Sequence, residues 1–533
     1  MEGLDTMKKI LVCFIIMVLL LTGCSTPTEQ KIDGVKINLS DEKITVDGKA
    51  ITNDNAQAVY SANDIVFFLA GQDFTYGEGT KEDEHEQSEA DAHTVVHISK
   101  PGRYVLSGKL TAGQIAVDLG EDAEKNPEAV VTLILNGVDI TCTVAPAVIF
   151  YNVYECSVAD EENATKDVDT SAAGANIIVA DGSENNINGS YVAEIYKSYE
   201  LNEDGTEVID SKKLHKYDAA FYSKKTMNIN GGDIGDGILN IKAENEGLDS
   251  ELHLTINGGN INITSGNDGI NTNEDNVSVT TVNGGTLNIL CDGTTGEGDG
   301  IDSNGWLVIN GGTVVAQACA TSGDAGIDSD SGIYINGGNV IASGNMLDRI
   351  VGGEQTYAIF SFAARQTGNS IYTLKNAENK VIGKYSPTND FAYLLVAGDE
   401  LVAGDYTFWQ DDTQLSAYST GNMQGEKPMG DTQQPPENMN GERPQPPENI
   451  ENPPEMPENM TRPDGEPPRM PTSERPEMPN GERHEMPDGA ENITHPDNMA
   501  GMMGNNMVSN DKVSTIFTLV KGGNQFTNVC NAE

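Results

Sequence analysis

The chain has 533 residues, and its 82 acidic side chains outnumber 32 lysines and arginines, which gives a formal net charge of −50. This charge argues against nucleic acid as a partner, because phosphates require a basic footprint, and it favours cations and an exposed acidic surface. The 57 glycines and the 6% of aromatic residues favour a tight-turned β architecture over packed helices.

The N-terminal segment is typical of an exported protein. The apolar run 10–21 follows two lysines and is shorter than the ~20 residues of a membrane-spanning helix, so it predicts a signal peptide over 1–23. The sequence LTGC that ends at Cys24 resembles the lipobox of bacterial lipoproteins, which implies a lipid on this cysteine. We therefore expect a linker over 24–40 and an extracytoplasmic protein that is lipid-anchored to the cell membrane. An ordinary secretory signal with a chance cysteine is the alternative.

The central part of the chain carries an internal repeat. Asn-Gly-Gly recurs at intervals of 26 or 27 residues, and apolar residues alternate around each copy, as in strands rather than helices. A unit of this length holds about three short strands and predicts one coil of a parallel β-helix. Leucine-rich repeats share this period, but their helical half is missing. The asparagines that begin the copies are Asn230, Asn257, Asn283, Asn310 and Asn336.

Three further segments precede or enter the repeat in an order that resembles a known group of proteins. They are GRYVLSG at 102–108, LNGVDI at 135–140 and DAAFYSK at 218–224. Together with the Asp-Gly-Ile and Asn-Gly-Gly series, they make the chain similar to the clostridial carbohydrate-binding, polysaccharide-lyase-like parallel β-helix lipoproteins over roughly 41–410. The resemblance implies an all-β fold whose right-handed parallel β-helix solenoid binds acidic sugars.

The sequence predicts four segments after the linker. A parallel β-helix carbohydrate-binding domain occupies 41–365, and strands of a closing β-sheet occupy 366–420. The Pro-, Met- and Glu-rich stretch 421–510 has almost no aliphatic residues, so we expect a disordered insertion. The apolar segment 511–533 then returns as a C-terminal strand of the closing sheet.

A second column of polar residues lies about seven positions before most of the repeat asparagines. These side chains should point outward and stack from coil to coil, where unit charges ~5 Å apart repel each other. A bound cation or raised pKa values relieve such repulsion, and oxygen ligands favour Ca²⁺ over Zn²⁺. The pattern therefore predicts a calcium site, with a merely solvated acidic face as the alternative. The predicted ligands are Asp249, Asp268, Asn271, Asp299, Asp302, Asp324 and Asp328.

Outward-facing rings on the strand before each repeat asparagine are the candidates for sugar contact. Pyranose rings stack on aromatic side chains, and the positions four and two residues before the asparagine hold Trp306, Tyr334 and His253. We predict that these three residues bind carbohydrate, and the alternative is rings that a long loop covers or that are merely exposed.

These observations predict a cell-surface lipoprotein that binds polysaccharide, either cellulose-like or containing uronic acid, on a calcium-assisted acidic face. A calcium-dependent, pectate-type polysaccharide lyase is one alternative, although 226–345 holds 16 acids and only one lysine or arginine, Lys242. A structural or adhesive surface solenoid is another. We assign no catalytic residue, and an enzyme is the less favoured class.

Overall fold

The computed structural model describes residues 32–157, 159–423 and 513–532. Nearly all regular structure in these residues is β-strand, which confirms the predicted all-β fold. The signal peptide and Cys24 lie outside the described residues, as does the predicted insertion apart from 421–423. The described residues all belong to one compact unit.

The N-terminal part begins the sheets and covers their first edge. Its elements are β1 (Val35–Leu39), β2 (Thr45–Val46), β3 (Lys49–Ala50), β4 (Val59–Ala62), α1 (Gln87–Ala90), β5 (Thr94–Ile98), β6 (Gly102–Leu110), β7 (Gly113–Asp118), a 3₁₀ turn (Glu121–Lys125), β8 (Val131–Thr141) and β9 (Val148–Asn152). β1 pairs in parallel with β6 on one side and antiparallel with β2 on the other. The hairpin of β2 and β3 therefore covers an edge that would otherwise be open to other chains.

The central part is built almost entirely from short strands. They are β10 (Ala175–Val179), β11 (Glu184–Gly189), β12 (Tyr196–Leu201), β13 (Val208–Lys213), β14 (Ala219–Ser223), β15 (Met227–Gly231), β16 (Ile238–Ala243), β17 (Glu246–Ser250), β18 (His253–Ile256), β19 (Asn260–Ser265), β20 (Ile270–Thr272), β21 (Val279–Val282), β22 (Thr286–Cys291), β23 (Trp306–Ile309), β24 (Thr313–Gln317), β25 (Gly332–Ile335), β26 (Asn339–Gly344) and β27 (Ile350–Gly352). A 3₁₀ turn (Glu161–Asn163) precedes β10, and β12 and β13 form a separate antiparallel hairpin.

Apart from that hairpin, these strands stack in parallel in three ladders. Ladder 1 contains β8, β10, β15, β18, β21, β23, β25 and β27. Ladder 2 contains β8, β11, β16, β19, β22, β24 and β26. Ladder 3 contains β5, β7, β9, β14, β17 and β20. Successive repeats thus contribute strands to the ladders in the same order along the chain.

The register of ladder 1 aligns the sequence repeats. Ile229 lies opposite Ile256, and the equivalent apolar residue of each later repeat continues this buried row. Because one repeat cannot bury its apolar face alone, the stacking of neighbours creates the core. The adjoining asparagines form what we call the Asn stack, in which each amide donates to the preceding one at 2.7–3.0 Å. Its members are Asn230, Asn257, Asn283, Asn310 and Asn336.

The C-terminal part covers the other end of the sheets. Its strands are β28 (Tyr357–Gln366), β29 (Tyr372–Asn376), β30 (Val381–Tyr385), β31 (Phe391–Ala397), β32 (Gly404–Gln410), β33 (Thr413–Met423), β34 (Phe517–Leu519) and β35 (Gly523–Asn531). β31 pairs antiparallel with β26 of ladder 2, and β35 pairs with both β28 and β33. A second core of aromatic side chains, in which Phe360 stacks on Phe408 with ring centroids 4.1 Å apart, holds these strands together.

Neither a membrane-crossing helix nor a disulfide occurs in the described part of the chain. No helix there is both long and apolar enough to cross a bilayer. The cysteines of this part are all free thiols, namely Cys142, Cys156, Cys291, Cys319 and Cys530. The lipid anchor on Cys24 stays a prediction from the sequence.

Candidate functional site

The predicted stack of acidic and amide side chains begins on ladder 3. Asp249 on β17 lies directly opposite Asn271 on β20. The column continues beyond the last strand of this ladder, because the amide of Asp302 donates to Ile270 O at 2.8 Å and that of Asp328 donates to Ile301 O at 2.7 Å. These four residues, which we call the acid column, occupy the same offset in successive repeats and therefore recur every ~4.8 Å.

A neighbouring row of carboxylates is joined to the next repeat through the backbone. Asp268 Oδ1 accepts a hydrogen bond from the amide of Asp299 at 2.7 Å, and Asp299 Oδ1 accepts one from Ala325 at 2.6 Å. The predicted ligand Asp324 is used differently, because its carboxylate accepts the amide of Gly298 at 2.6 Å and the hydroxyl of Ser322. Asp324 thus holds two loops together and is not among the carboxylates that converge.

Three carboxylates converge at the downstream end of the column. One oxygen from each of Asp299, Asp302 and Asp328 lies within 4.8 Å of the others, and we call these residues the acid cluster. Burial raises the pKa of Asp299 to about 9, of Asp302 to about 6 and of Asp328 to about 7, and repulsion between neighbouring carboxylates adds to each rise. Bringing three negative charges this close costs free energy unless a proton or a cation neutralises them.

The upstream end of the column contains buried oxygen atoms without partners. Asn271 donates to Glu246 Oε1 at 3.0 Å, and Asn273 donates to Asp249 Oδ1 at 2.7 Å. Among the described residues, Glu246 Oε2, Asp249 Oδ2 and Asn271 Oδ1 have no hydrogen-bond donor although they are buried. Burial raises the pKa of Glu246 to about 8 and that of Asp249 well above its usual range. A buried carboxylate oxygen needs a proton or a cation, and a buried amide oxygen needs a hydrogen-bond donor or a cation, so the three side chains fit an oxygen-coordinated metal ion.

The prediction that the column faces solvent is wrong in one respect. Asp249 is completely buried and Asn271 is 8% exposed, so the upstream column is an interior feature rather than a solvated face. Neighbouring side chains cover Asp249. Tyr222, on β14, lies opposite Asp249 in ladder 3 and donates a hydrogen bond from its hydroxyl to Glu251. Removal of water strengthens every electrostatic interaction among these groups.

Two acids that sequence reasoning missed extend this site. Burial raises the pKa of Asp218 to about 8, and Asp218 in turn raises the pKa of Glu246. Asp348 accepts the amide of Ser329 at 3.1 Å, and its pKa is raised chiefly by burial. Asp218 lies just before Phe-Tyr-Ser, the first copy of the motif that carries the acid column, and this position is a weak sequence signal for a role in the site. Asp348 lies after the last repeat, so the repeat pattern gives no signal for it.

The three predicted aromatic residues lie on ladder 1, apart from the strands that carry the acid column. Trp306 and Tyr334 are half-buried on β23 and β25. The prediction for His253 is wrong, because this side chain is only 1% exposed. Its Nε2 lies 3.0 Å from Ser157 Oγ, and its Nδ1 accepts the amide of Val279 at 3.0 Å. His253 therefore joins a covering segment to the ladder, and burial lowers its pKa to about 4.

Two sequence comparisons find carbohydrate-binding domain-containing proteins. The family model of carbohydrate-binding domain-containing proteins matches residues 92–380. A carbohydrate-binding domain-containing protein of Acetivibrio thermocellus is 28% identical over 257 residues, which are 48% of this chain and 64% of that protein. The match thus spans less than two thirds of the relative. A solved structure of the polysaccharide lyase-like protein from C. thermocellum, a gadolinium derivative, is 22% identical with a TM-score of 0.32, over 57% of this chain and 84% of that one.

Proposed function

We propose that this chain, which belongs to the family of carbohydrate-binding domain-containing proteins, binds polysaccharide with the help of Ca²⁺ held by its acid column. The observation that carries the proposal is the acid cluster, whose three carboxylate oxygens lie within 4.8 Å of one another. Carbohydrate binding itself is supported by the family match, which covers the region where the three ladders stack.

Calcium suits the donors better than other common ions. All the convergent groups offer oxygen, and Ca²⁺ takes six to eight oxygen ligands in an adaptable geometry. The partnerless oxygens of Glu246, Asp249 and Asn271 provide further donors close to the same column. A bound cation would supply positive charge that a sugar carboxylate can share. Such sharing matters because a chain with a net charge of −50 otherwise repels an acidic polymer.

The strand ladders and the sequence at Cys24 support a proposed fold and a proposed location. The regular recurrence of strands in three parallel ladders supports a parallel β-helix, and parallel crossovers are right-handed in ~98% of cases. The lipobox-like sequence at Cys24 supports a lipid anchor on the outer face of a cell membrane. In that location the protein meets extracellular Ca²⁺ and polysaccharides.

A binding experiment with two classes of polymer tests the proposal. The mature chain is incubated with polygalacturonate or with an insoluble neutral glucan, in Ca²⁺ and in EDTA. We expect retention on polygalacturonate in Ca²⁺ and loss of it in EDTA, whereas EDTA should not change any retention on the neutral glucan. A support without polysaccharide controls for nonspecific adhesion. Uronate binding that EDTA does not change would contradict the role of the metal, and retention on neither polymer would contradict carbohydrate binding.

A lyase is the second candidate, and the position of Lys216 favours it. The positive charge of Lys216 limits the rise in the pKa values of Asp218 and Glu246, so this lysine lies near the upstream end of the column. A β-eliminating enzyme needs a base there to take the proton next to the uronate carboxylate. The C–H electron pair then forms a C=C bond, the glycosidic C–O bond breaks with its electrons on the leaving oxygen, and that oxygen takes up a proton from solvent water. Unsaturated sugar released by the wild type, but not by Lys216→Met, would establish this activity.

A further inference from the structure

A groove of about 520 Å³ runs along the outer face of ladder 1, separate from the acid column. Its floor consists of four members of the Asn stack together with Asn228, Thr255, Thr281 and Val308. Its roof is the segment 166–171, which we call the roof segment. The volume lies in the ordinary range of ligand-binding clefts.

The roof segment is fixed at both ends. Thr170 shares a hydrogen bond of 2.8 Å with the hydroxyl of Thr255, and its carbonyl accepts the amide of Asn228 at 2.7 Å. At the other end, Lys166 Nζ lies 5.1 Å from the ring centroid of Tyr334. The roof segment therefore crosses ladder 1 from β15 to β25. These strands are four steps apart, which is about 19 Å at ~4.8 Å per step. The long axis of the groove beneath this segment therefore follows the Asn stack.

The floor of the groove presents a regular row of neutral donors and acceptors. Asn283 donates to Asn257 at 2.8 Å and accepts from Asn310 at 2.8 Å. Each amide in the middle of the stack therefore has one N–H and one oxygen lone pair left over. Asn257, Asn283 and Asn310 are all exposed. They offer these leftover groups at intervals of ~4.8 Å along the groove.

The charge of this groove differs from that of the rest of the protein. Its floor contains only asparagine, threonine and valine side chains. The roof carries Lys166, which forms an ion pair of 2.6 Å with Asp167, and one further acid, Asp169. A chain with a net charge of −50 thus has a nearly neutral cleft lined with amides and hydroxyls. These groups match a ligand whose own groups are uncharged and both donate and accept hydrogen bonds.

We propose that this groove binds an extended, neutral polysaccharide lying along the Asn stack, without any cation. Sugar hydroxyls would pair with the leftover amide groups of the Asn stack. This inference deepens the proposed carbohydrate binding and rests on it. It adds a second site on ladder 1 with a different ligand class, since the acid column favours uronates.

The chain offers a matched pair of variants for the test. Asn283→Ala removes a middle amide of the Asn stack in the groove. Asn262→Ala removes a middle amide of the similar stack on ladder 2, where Asn262 donates to Asn240 and accepts from Asn288, both at 2.9 Å. The two variants lose the same number of structural hydrogen bonds, so melting curves should show similar stability. Only the first variant removes a group from the groove.

Calorimetric titration of the full mature chain with cellohexaose, in EDTA, measures the effect. We expect Asn283→Ala to weaken binding by about tenfold, because it removes about two hydrogen bonds to sugar, and Asn262→Ala to bind like the wild type. Should Asn283→Ala fail to fold, Thr281→Phe places a ring in the groove and keeps every asparagine of the Asn stack. It should also weaken binding by at least about tenfold.

The other outcomes separate the two proposals. Equal affinity of the wild type and both asparagine variants, or equal loss in both variants, would overturn the groove assignment. A wild type that binds polygalacturonate in Ca²⁺ but no cellohexaose would overturn the groove and leave the proposed function intact. A wild type that binds neither polymer would overturn both.

Discussion

The substitution Asp302→Asn should stabilise the protein in the absence of calcium, and this advantage should shrink or disappear when calcium is added. Burial raises the pKa of Asp302 from 3.8 to about 6, so the folded state favours the neutral side chain. The folded state therefore binds the proton more tightly, and this contribution to stability is complete below pH 3.8 and is lost as the pH rises through about 6. A difference of about two pKa units corresponds to about 3 kcal/mol.

In EDTA at pH 8, the charged Asp302 should thus destabilise the wild type, and Asp302→Asn should be more stable by up to about 3 kcal/mol. Near pH 4 the two proteins should differ little. In Ca²⁺ at 100 times Kd, the wild type should gain about 2.7 kcal/mol, whereas the variant lacks one ligand and gains less. The variant should therefore lose its advantage when calcium is added.

Urea unfolding followed by circular dichroism at pH 4 and pH 8, each in EDTA and in Ca²⁺, measures these free energies. The exposed loop residue Asp292 provides a control, because Asp292→Asn removes one negative charge outside the acid cluster. Destabilisation by Asp302→Asn in EDTA at pH 8 would refute the reasoning from burial. A calcium response of equal size in both proteins would refute the assignment of Asp302 as a ligand.

Three further predictions concern other parts of the account. The affinity for Ca²⁺ should rise from pH 5 to about pH 9, because protons compete for carboxylates whose pKa values are about 6 for Asp302, about 7 for Asp328 and about 9 for Asp299; pH-independent titrations would contradict this. His253→Ala should lower the melting temperature but leave calcium-dependent uronate binding intact, since His253 is buried and joins Ser157 to ladder 1; a selective loss of binding would show direct sugar contact. Cys24→Ala should abolish lipid labelling and membrane retention, and unchanged retention would contradict the anchor.

The repeat made the stacking of residues predictable. Ile229 and Ile256 occupy the same position in successive repeats, so their alignment in ladder 1 follows from the 27-residue interval between them. The same logic places Asp302 and Asp328 together, because each follows a Gly-Ile pair at the same offset. A one-dimensional repeat fixes neighbours along the stack, which is why these predictions needed no knowledge of distant contacts.

Burial and the roles of residues outside the repeats were not predictable in this way. His253 and Trp306 hold equivalent positions on their strands, yet Ser157, which is distant in sequence, covers only the histidine. Asp324 resembles the other predicted ligands in sequence, but it lies two residues before its glycine and accepts the amide of Gly298 instead. Loop insertions of different lengths determine such contacts, and a period in the sequence carries no information about them.

The most direct test of the central claim is a calorimetric titration of the wild type and of the double variant Asp302→Asn/Asp328→Asn with a galacturonate oligomer. Each titration is performed in saturating Ca²⁺ and again in EDTA. We predict that the wild type binds the oligomer only in Ca²⁺, and that the double variant binds it at least about tenfold more weakly under the same conditions. Equal affinities of the two proteins in Ca²⁺ would contradict the claim that the acid cluster holds the ion that the sugar shares.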